Sequence, residues 1–476
     1  MKNAAGPRRS LDPDLEEMRR LAHLAVDGVV DYLAGLGDQA VAAPGSAREF
    51  GDLVNEELPE EGRGVEDGVH FFFGRVVPRM TRVNHPRFHA YIPCPSSFPG
   101  TVGEILAAGA NPFVGSWLGG ATVAALELQV LRWIARLVGY PEDAAGILTS
   151  GGSGANLIAL AAARARFDAA AATSVLQSGR IYLSGEGHAS VDKAALVLGF
   201  PPEALRHVPV DADYHMRMDA LAEMIAADRA AGHQPFFVSA NAGTVNTGSV
   251  DPLPEIADLC AAEGLWFHVD GAYGGFAAIA DEGRRRLAGM ERADSLTLDP
   301  HKWLFAPMGT GCALVRDTAS LEAAFSSHGD YLRDLPQDEV NFLDRGPELS
   351  RPGRVLGVWM VIRAAGRREL AYQVEEDLRL ARLAADLLVE DPRFELVHRP
   401  ELSIVVFRSR QRGEEAEADR AARDQALMNA TLRDGTLMVS TTNLDGRSAV
   451  RMVVMNHRTT EADVRRSVER IRELAE

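Results

Sequence analysis

Lys302 follows Asp299-Pro-His at the end of an apolar run and precedes Trp303, Leu304 and Phe305. Apolar neighbours strip water from an amine and lower its pKa toward nucleophilic competence, so the position reads as an amine able to attack a carbonyl. The alternative is an ordinary surface lysine. Asp270 closes a second apolar run in His268-Val-Asp-Gly-Ala-Tyr-Gly-Gly275. A carboxylate at the end of a buried strand needs a cation or a donor, and a protonated pyridine nitrogen would serve; a helix cap or turn aspartate is the plain alternative. A third segment, Thr149-Ser-Gly-Gly-Ser-Gly-Ala-Asn156, puts glycines and serines between a strand pattern and a helix pattern. Backbone N–H groups at a helix start suit a phosphate and Ser153 adds a hydroxyl, although a tight turn without a ligand accounts for the same residues equally well. The segment matches neither the GxGxxG nor the Walker pattern, which weakens dinucleotide and nucleoside-triphosphate readings.

One ligand takes all three segments at once. Pyridoxal 5′-phosphate requires an amine for its aldehyde, a carboxylate for its ring nitrogen and donors for its phosphate. His188, in Ser184-Gly-Glu-Gly-His-Ala-Ser190, adds an imidazole able to stack on the ring, or else a structural histidine at a helix start.

These residues must be positioned by a scaffold, and its pattern is legible. Candidate strands Gly146–Thr149, Arg180–Leu183, Phe236–Ser239, Leu265–Val269, Ser295–Leu298 and Cys312–Val315 alternate with helical stretches Ala155–Phe167, His188–Leu198, Asp219–Ala231 and Leu253–Glu263. Such alternation predicts an α/β protein with a mainly parallel sheet and function at the carboxyl ends of its strands. We expect three units: residues 1–100 as a helical arm with a substrate loop, 101–370 as the large domain, and 371–476 as a smaller α+β domain. In the arm, Asp12 caps a helix with Pro13 at its first position, and the four-proline stretch His85–Gly100 predicts an ordered loop. In the last unit a helix from about Val374 to Leu388 precedes strands Ser403–Arg408, Leu437–Thr441 and Val450–Met455, with an Asp-Gly hairpin turn inside Asn443–Arg447 and a closing amphipathic helix.

The ordered motifs TSGGSGANL, SGEGHASVDKAA, NAGTVNTGSVDPL, HVDGAYGG and DPHKW closely resemble the group II pyridoxal-phosphate-dependent amino-acid decarboxylases, the family of the aromatic-L-amino-acid decarboxylases. The resemblance runs from about Leu11 through at least Trp359 and implies the aspartate aminotransferase-like (type I) fold. It implies that Lys302 forms the Schiff base, Asp270 pairs with the pyridinium nitrogen, His188 stacks on the ring and Ala272 packs on the other face. Gly152, Ser153 and His301 would hold the phosphate. Thr244 and Val245 stand where the family contacts the cofactor, although aromatic members have threonine at the position of Val245. Asp299 stands where those members often have asparagine, which adds a negative charge near the phosphate.

The resemblance also implies that Tyr331, in Ala324-Phe-Ser-Ser-His-Gly-Asp-Tyr331-Leu-Arg, is the proton donor on a lid; an ordinary loop tyrosine is the alternative. Relatives with phenylalanine there turn toward oxidative deamination to an aldehyde, so Tyr331 favours simple decarboxylation to an amine and CO₂. The segment with Tyr91, Pro93 and Cys94 matches the family's substrate segment, with Tyr91 and Pro93 retained and Cys94 in place of a threonine. Aromatic residues expected near Val83, Ile92 and Gly115 are absent, which suggests a roomier or more aliphatic pocket and leaves the amino acid open. Cys94 reads as a small packing residue or a reactive thiol.

Composition narrows the remaining choices. The 476 residues carry 50 basic and 67 acidic side chains, a net charge of −17, so nucleic acid and anionic membranes are poor partners. Three scattered cysteines without CxxC spacing argue against a disulfide framework or zinc site and for a reducing cytoplasm. The start, MKNAAGPRRS, is not a signal peptide, and no apolar run approaches the ~20 residues that span a bilayer. Trp117 and the proline-rich arm fit a subunit contact in the C2 homodimer that the resemblance implies.

Overall fold

A computed structural model describes residues 11–170, 174–326, 329–332, 334–336 and 338–475. Strands β1 (Ala145–Thr149), β2 (Gly179–Ser184), β3 (Leu205–Val208), β4 (Gln234–Asn241), β5 (Trp266–Gly271), β6 (Ser295–Leu298) and β7 (Gly311–Val315) form one seven-stranded sheet in the order β1-β7-β6-β5-β4-β2-β3. The pairs β6–β5, β5–β4, β4–β2 and β2–β3 are parallel, whereas β7 runs against both β1 and β6. Six strands therefore point the same way, and their carboxyl ends collect along one edge of the sheet. Every residue of β1, β2, β5, β6 and β7 is buried, and β1 and β7 accordingly read as near-continuous apolar runs rather than alternating ones.

The alanine-rich helix Gly152–Ala170 lies on this sheet, and Ala155, Ala159, Ala162 and Ala163 on it are fully buried. Small side chains let the helix approach the strands closely and so bring its first turn up to the strand ends. Close approach recurs where the helix Phe98–Ala110 packs on the helix Val355–Glu390: a Cβ on Gly103 would come within 2.4 Å of the Leu356 carbonyl oxygen.

β8 (Phe394–Leu396), β9 (Ile404–Ser409), β10 (Ser440–Leu444) and β11 (Arg447–Val453) form a separate antiparallel sheet in the order β10-β11-β9-β8. Its core, including Leu380, Phe394, Phe407, Val450 and Val464, is distinct from that of the large sheet. Asp445 and Gly446 link β10 to β11 with positive φ angles of 51° and 77°, the conformation that the Asp-Gly pair predicts for a two-residue hairpin.

The structure revises several element boundaries. Asp14, not Asp12, caps the first helix, Leu15–Ala34: its side chain accepts from the Glu17 N–H at 2.9 Å. The helix expected from Val374 begins at Val355 and continues across a break at Gly366, where φ is 68°. Edge strand β3, the short β8 and the charged helix Glu417–Asp434 were not anticipated, because each carries too few buried apolar residues to show a period.

The proline-rich stretch is ordered through the small domain. His89 accepts at its backbone carbonyl from Val453 and donates its own N–H to the Met438 carbonyl, while Arg87 pairs with Asp463 at 2.8 Å and donates to the carbonyls of Gly37 and Thr436. Burial drives His85 and His89 down to about 4, so both serve as neutral hydrogen-bonding groups. This anchoring delivers Tyr91 and Ile92 to the edge of the large sheet.

Candidate active site

A cleft of about 480 Å³ opens at the carboxyl ends of the parallel strands. Gly152 and Ser153 after β1, His188 after β2, Val245 after β4, Asp270 and Ala272 at the end of β5, and Asp299, His301 and Lys302 after β6 all line it. Residues far apart in the chain meet here because each strand ends at the same edge.

Asp270 is held by directed hydrogen bonds. Its Oδ2 accepts from Asn156 Nδ2 at 2.8 Å and its Oδ1 from the Ala272 N–H at 3.0 Å. Asn156 also donates to Ser190 Oγ at 2.8 Å, and its Oδ1 lies 3.0 Å from His268 Nε2. Beyond it, Trp266 Nε1 donates to Ser295 Oγ, which lies 2.8 Å from His268 Nδ1. Only one proton arrangement satisfies the series: the Ser295 hydroxyl donates to Nδ1, and Nε2–H donates to Asn156. Burial holds His268 neutral, as this requires. On the other side, His188 Nδ1 accepts from the Ser190 N–H at 3.2 Å and meets Ser190 Oγ at 2.7 Å, which leaves a proton on Nε2 facing the cleft. Asn156 closes the glycine-rich motif, but its role, like those of Ser190, His268 and Ser295, needed the three-dimensional arrangement.

Lys302 Nζ lies 2.8 Å from Asp299 Oδ2, with side-chain exposures of 18% and 3%. Burial alone lowers the amine's pKa, as expected from its neighbours, but the adjacent Asp299 carboxylate reverses the outcome and the pKa is raised. The expectation of a pre-lowered amine is thereby corrected. Asp299 Oδ1 is buried with no hydrogen-bond partner among the described residues.

The N-terminus of helix Gly152–Ala170 is kept open by its glycine: a Cβ on Gly152 would meet Ala272 Cβ at 2.9 Å and Asp299 Oδ2 at 3.1 Å. A buried amine, a fixed carboxylate, an imidazole and a glycine-lined helix start form the donor and acceptor set that pyridoxal phosphate needs.

Other expected contacts are placed elsewhere. Thr244 is fully buried with its hydroxyl 2.7 Å from that of Thr247, and it is not among the residues lining the cleft. Tyr91 and Ile92 line it, but Pro93 and Cys94 do not. The Cys94 thiol donates to the Ile92 carbonyl at 3.4 Å and burial pushes it up to about 11, so it is a packing residue. Gly115 does not enlarge the cleft, because a Cβ there would lie 1.9 Å from the Leu349 carbonyl oxygen. Val83 packs with Val41, Phe88 and Met438 instead of lining the cleft. Tyr331 falls in the short turn Asp330–Leu332, and its side chain lies outside the described residues.

Sequence reasoning missed Arg451. It reaches the cleft from β11, donates to the carbonyl oxygens of Asn246 at 2.9 Å and of Val245, and meets Ser440 Oγ at 3.2 Å. No carboxylate pairs with it among the described residues, and burial lowers its pKa to about 10. Nothing in its local sequence distinguishes it from other strand arginines.

Fold and site together define a type I pyridoxal-phosphate enzyme. The model of the pyridoxal-dependent decarboxylase conserved domain matches residues 44–410, and the chain belongs to that family. It is 36% identical to the aromatic-L-amino-acid decarboxylase of Bacillus atrophaeus, over 98% of this chain and 97% of that protein. It is 31% identical to the phenylacetaldehyde synthase of Arabidopsis thaliana, over 100% of this chain and 99% of the relative. The crystal structure of Oryza sativa TDC with PLP and tryptamine superposes with a TM-score of 0.92 at 28% identity, covering 98% of this chain and 99% of that one. The protein is a pyridoxal-phosphate-dependent amino-acid decarboxylase. Among the described residues, no helix is long and apolar enough to cross a membrane.

Proposed function

We propose that this chain decarboxylates an L-amino acid with an aromatic or similarly apolar side chain, releasing the amine and CO₂. The observation that carries this reading is the cleft itself. Tyr91 and Ile92 present apolar surface, and Arg451 is a buried cation without a carboxylate partner among the described residues. A guanidinium of that kind suits the substrate α-carboxylate, leaving the side chain to the apolar wall. Similarity to aromatic-L-amino-acid, tyrosine and tryptophan decarboxylases supports the aromatic class.

When bound, pyridoxal phosphate supplies the sink for the electron pair freed at Cα. In this reading Lys302 supplies the amine that attaches its aldehyde. Gly152, Ser153 and His301 hold the phosphate, and Asp270 keeps a proton on the ring nitrogen. His188 covers one ring face and Ala272 the other. Arg451 would hold and orient the substrate carboxylate, and Tyr331 would return a proton to Cα. The second reading, oxygen-dependent conversion to an aldehyde, is supported by the similarity to the aldehyde synthase.

A panel of aromatic, acidic, basic and branched amino acids, assayed for amine and for peroxide, tests both readings. Amine from aromatic substrates without peroxide is expected; stoichiometric peroxide would establish the second reading, and a preference for acidic or basic substrates would overturn the first. Arg451→Met is expected to raise KM for every accepted amino acid by roughly 10- to 100-fold, the cost of losing a charge-assisted contact. An unchanged KM removes Arg451 from the substrate site.

The arm supports a homodimer. The helices Leu15–Ala34, Ala47–Val54 and Val65–Phe71 contain no buried residue, although Leu15, Met18, Val54 and Phe71 lie on them exposed. Apolar arms of this kind gain stability by covering a second copy. Sedimentation at twice the 51.4 kDa chain mass is expected, and a monomer at working concentrations would refute the assignment. We place the protein in the cytoplasm, with residues 1–100, 101–370 and 371–476 as arm, large domain and small domain.

A further inference from the structure

Asp299 is an anion in an unusual place. It stands beside Gly152, the first residue of the helix whose N–H groups would hold a phosphate, and its carboxylate is 3% exposed with Oδ1 unpartnered among the described residues. A buried carboxylate requires a compensating cation. Lys302 Nζ supplies it at 2.8 Å, and the His301 ring nitrogen Nε2 lies 3.8 Å away.

We propose that Asp299 is the counter-ion of the Lys302 nitrogen, holding a proton on it after the cofactor is attached while weakening the grip on the cofactor phosphate. The inference rests on the reading that Lys302 carries pyridoxal phosphate. When the ammonium of Lys302 condenses with the aldehyde, the aldehyde oxygen leaves as water and the nitrogen retains one proton, so the positive charge beside Asp299 persists. Keeping that proton preserves the ion pair; losing it strands the carboxylate between the phosphate and a neutral nitrogen. The protonated form is therefore favoured to higher pH than the nitrogen alone would support.

The remaining groups around the pair do not supply the same charge. Among the described residues Asp270 on β5 is a second carboxylate acting on Lys302, and it is committed to Asn156 and Ala272. Cys94 from the proline-rich stretch and Cys312 from β7 face the pair as neutral thiols, because burial raises both. Arg451 lines the same cleft, but as a cation it supplies no negative charge to the Lys302 nitrogen.

Asp299→Asn preserves shape and removes the charge. In the variant loaded with pyridoxal phosphate, a pH titration of the long-wavelength imine band is expected to show the nitrogen's pKa lowered by roughly one to three units. Titration of the apoprotein is expected to show pyridoxal phosphate bound roughly tenfold tighter, equivalent to one pKa unit, while pyridoxal, which lacks the phosphate, is not tightened. An unshifted band pKa, or looser binding of pyridoxal phosphate, would overturn the proposal. Should Asp299→Asn fail to accumulate folded, Asp299→Ser carries the same two expectations. Borohydride reduction followed by peptide mapping separates the two levels of failure. A label on Lys302 with no spectral shift rejects only the counter-ion, whereas no label on Lys302 rejects the attachment itself.

Discussion

Lys302→Ala is expected to reduce amine release by roughly 10⁴- to 10⁶-fold, the scale on which enzymes lose activity with their nucleophile. The variant lacks the amine that attaches the cofactor, so borohydride reduction should leave no covalent adduct at this position. A stability effect accompanies it. Removing the cation strands the Asp299 carboxylate, whose only other basic neighbour within 4 Å among the described residues is the His301 ring at 3.8 Å. Breaking one side of a buried ion pair costs about 3–5 kcal/mol, so the melting temperature should fall as well. Circular dichroism distinguishes a folded, inactive variant from an unfolded one. A folded Lys302→Ala protein with near-normal turnover would remove the covalent attachment from this residue.

Asp270→Ala is expected to lower kcat by roughly 10²- to 10⁴-fold, equivalent to losing about 3–5 kcal/mol of a buried charge interaction. The wild-type carboxylate accepts from both Asn156 and the Ala272 N–H, so it is aimed before any ligand arrives. Preorganisation of this kind lets a single charge act strongly in a site from which water is largely excluded. Asp270→Asn is the sharper test, since an amide oxygen can still accept one of these hydrogen bonds while the charge is gone. If both variants turn over near normally, ring protonation is not supplied by Asp270.

The positions of these residues were legible before any coordinates because their chemistry is local. A glycine-rich turn, an aspartate closing an apolar run and a lysine among rings each break the pattern around them. The sheet was legible for a related reason: strands buried on both faces, such as β1 and β7, appear as short, nearly continuous apolar runs. The Asp-Gly hairpin was read from the two residues that occupy it. Less was visible where burial is partial. β3 shows one buried residue in four, and the helix Glu417–Asp434 buries Arg420 and Asp424 beside Leu427 and Thr431, so neither displays a clean apolar period.

The substrate side was the least legible. Gly115 read as space and proved to be a point of backbone contact, since a side chain there would strike the Leu349 carbonyl oxygen. Arg451 lies about 150 residues beyond Lys302 in the chain and enters the cleft only because the small sheet docks beside the large one. Cys94 is sequence-adjacent to the pocket segment, yet its thiol is turned onto the Ile92 carbonyl.

By itself, the order of residue types determined the family, the cofactor and the strand ends at which the reactive groups stand. These depend on short-range pattern, and a chain with those patterns has few ways to bury them. Tertiary structure alone decided the electrostatics: the amine at position 302 keeps its proton because a carboxylate lies 2.8 Å away, and Asp270 at the end of β5 is aimed because Asn156 reaches it from the helix Gly152–Ala170. Coulomb interactions and hydrogen bonds depend on distance and direction through space, which no spacing along the chain specifies.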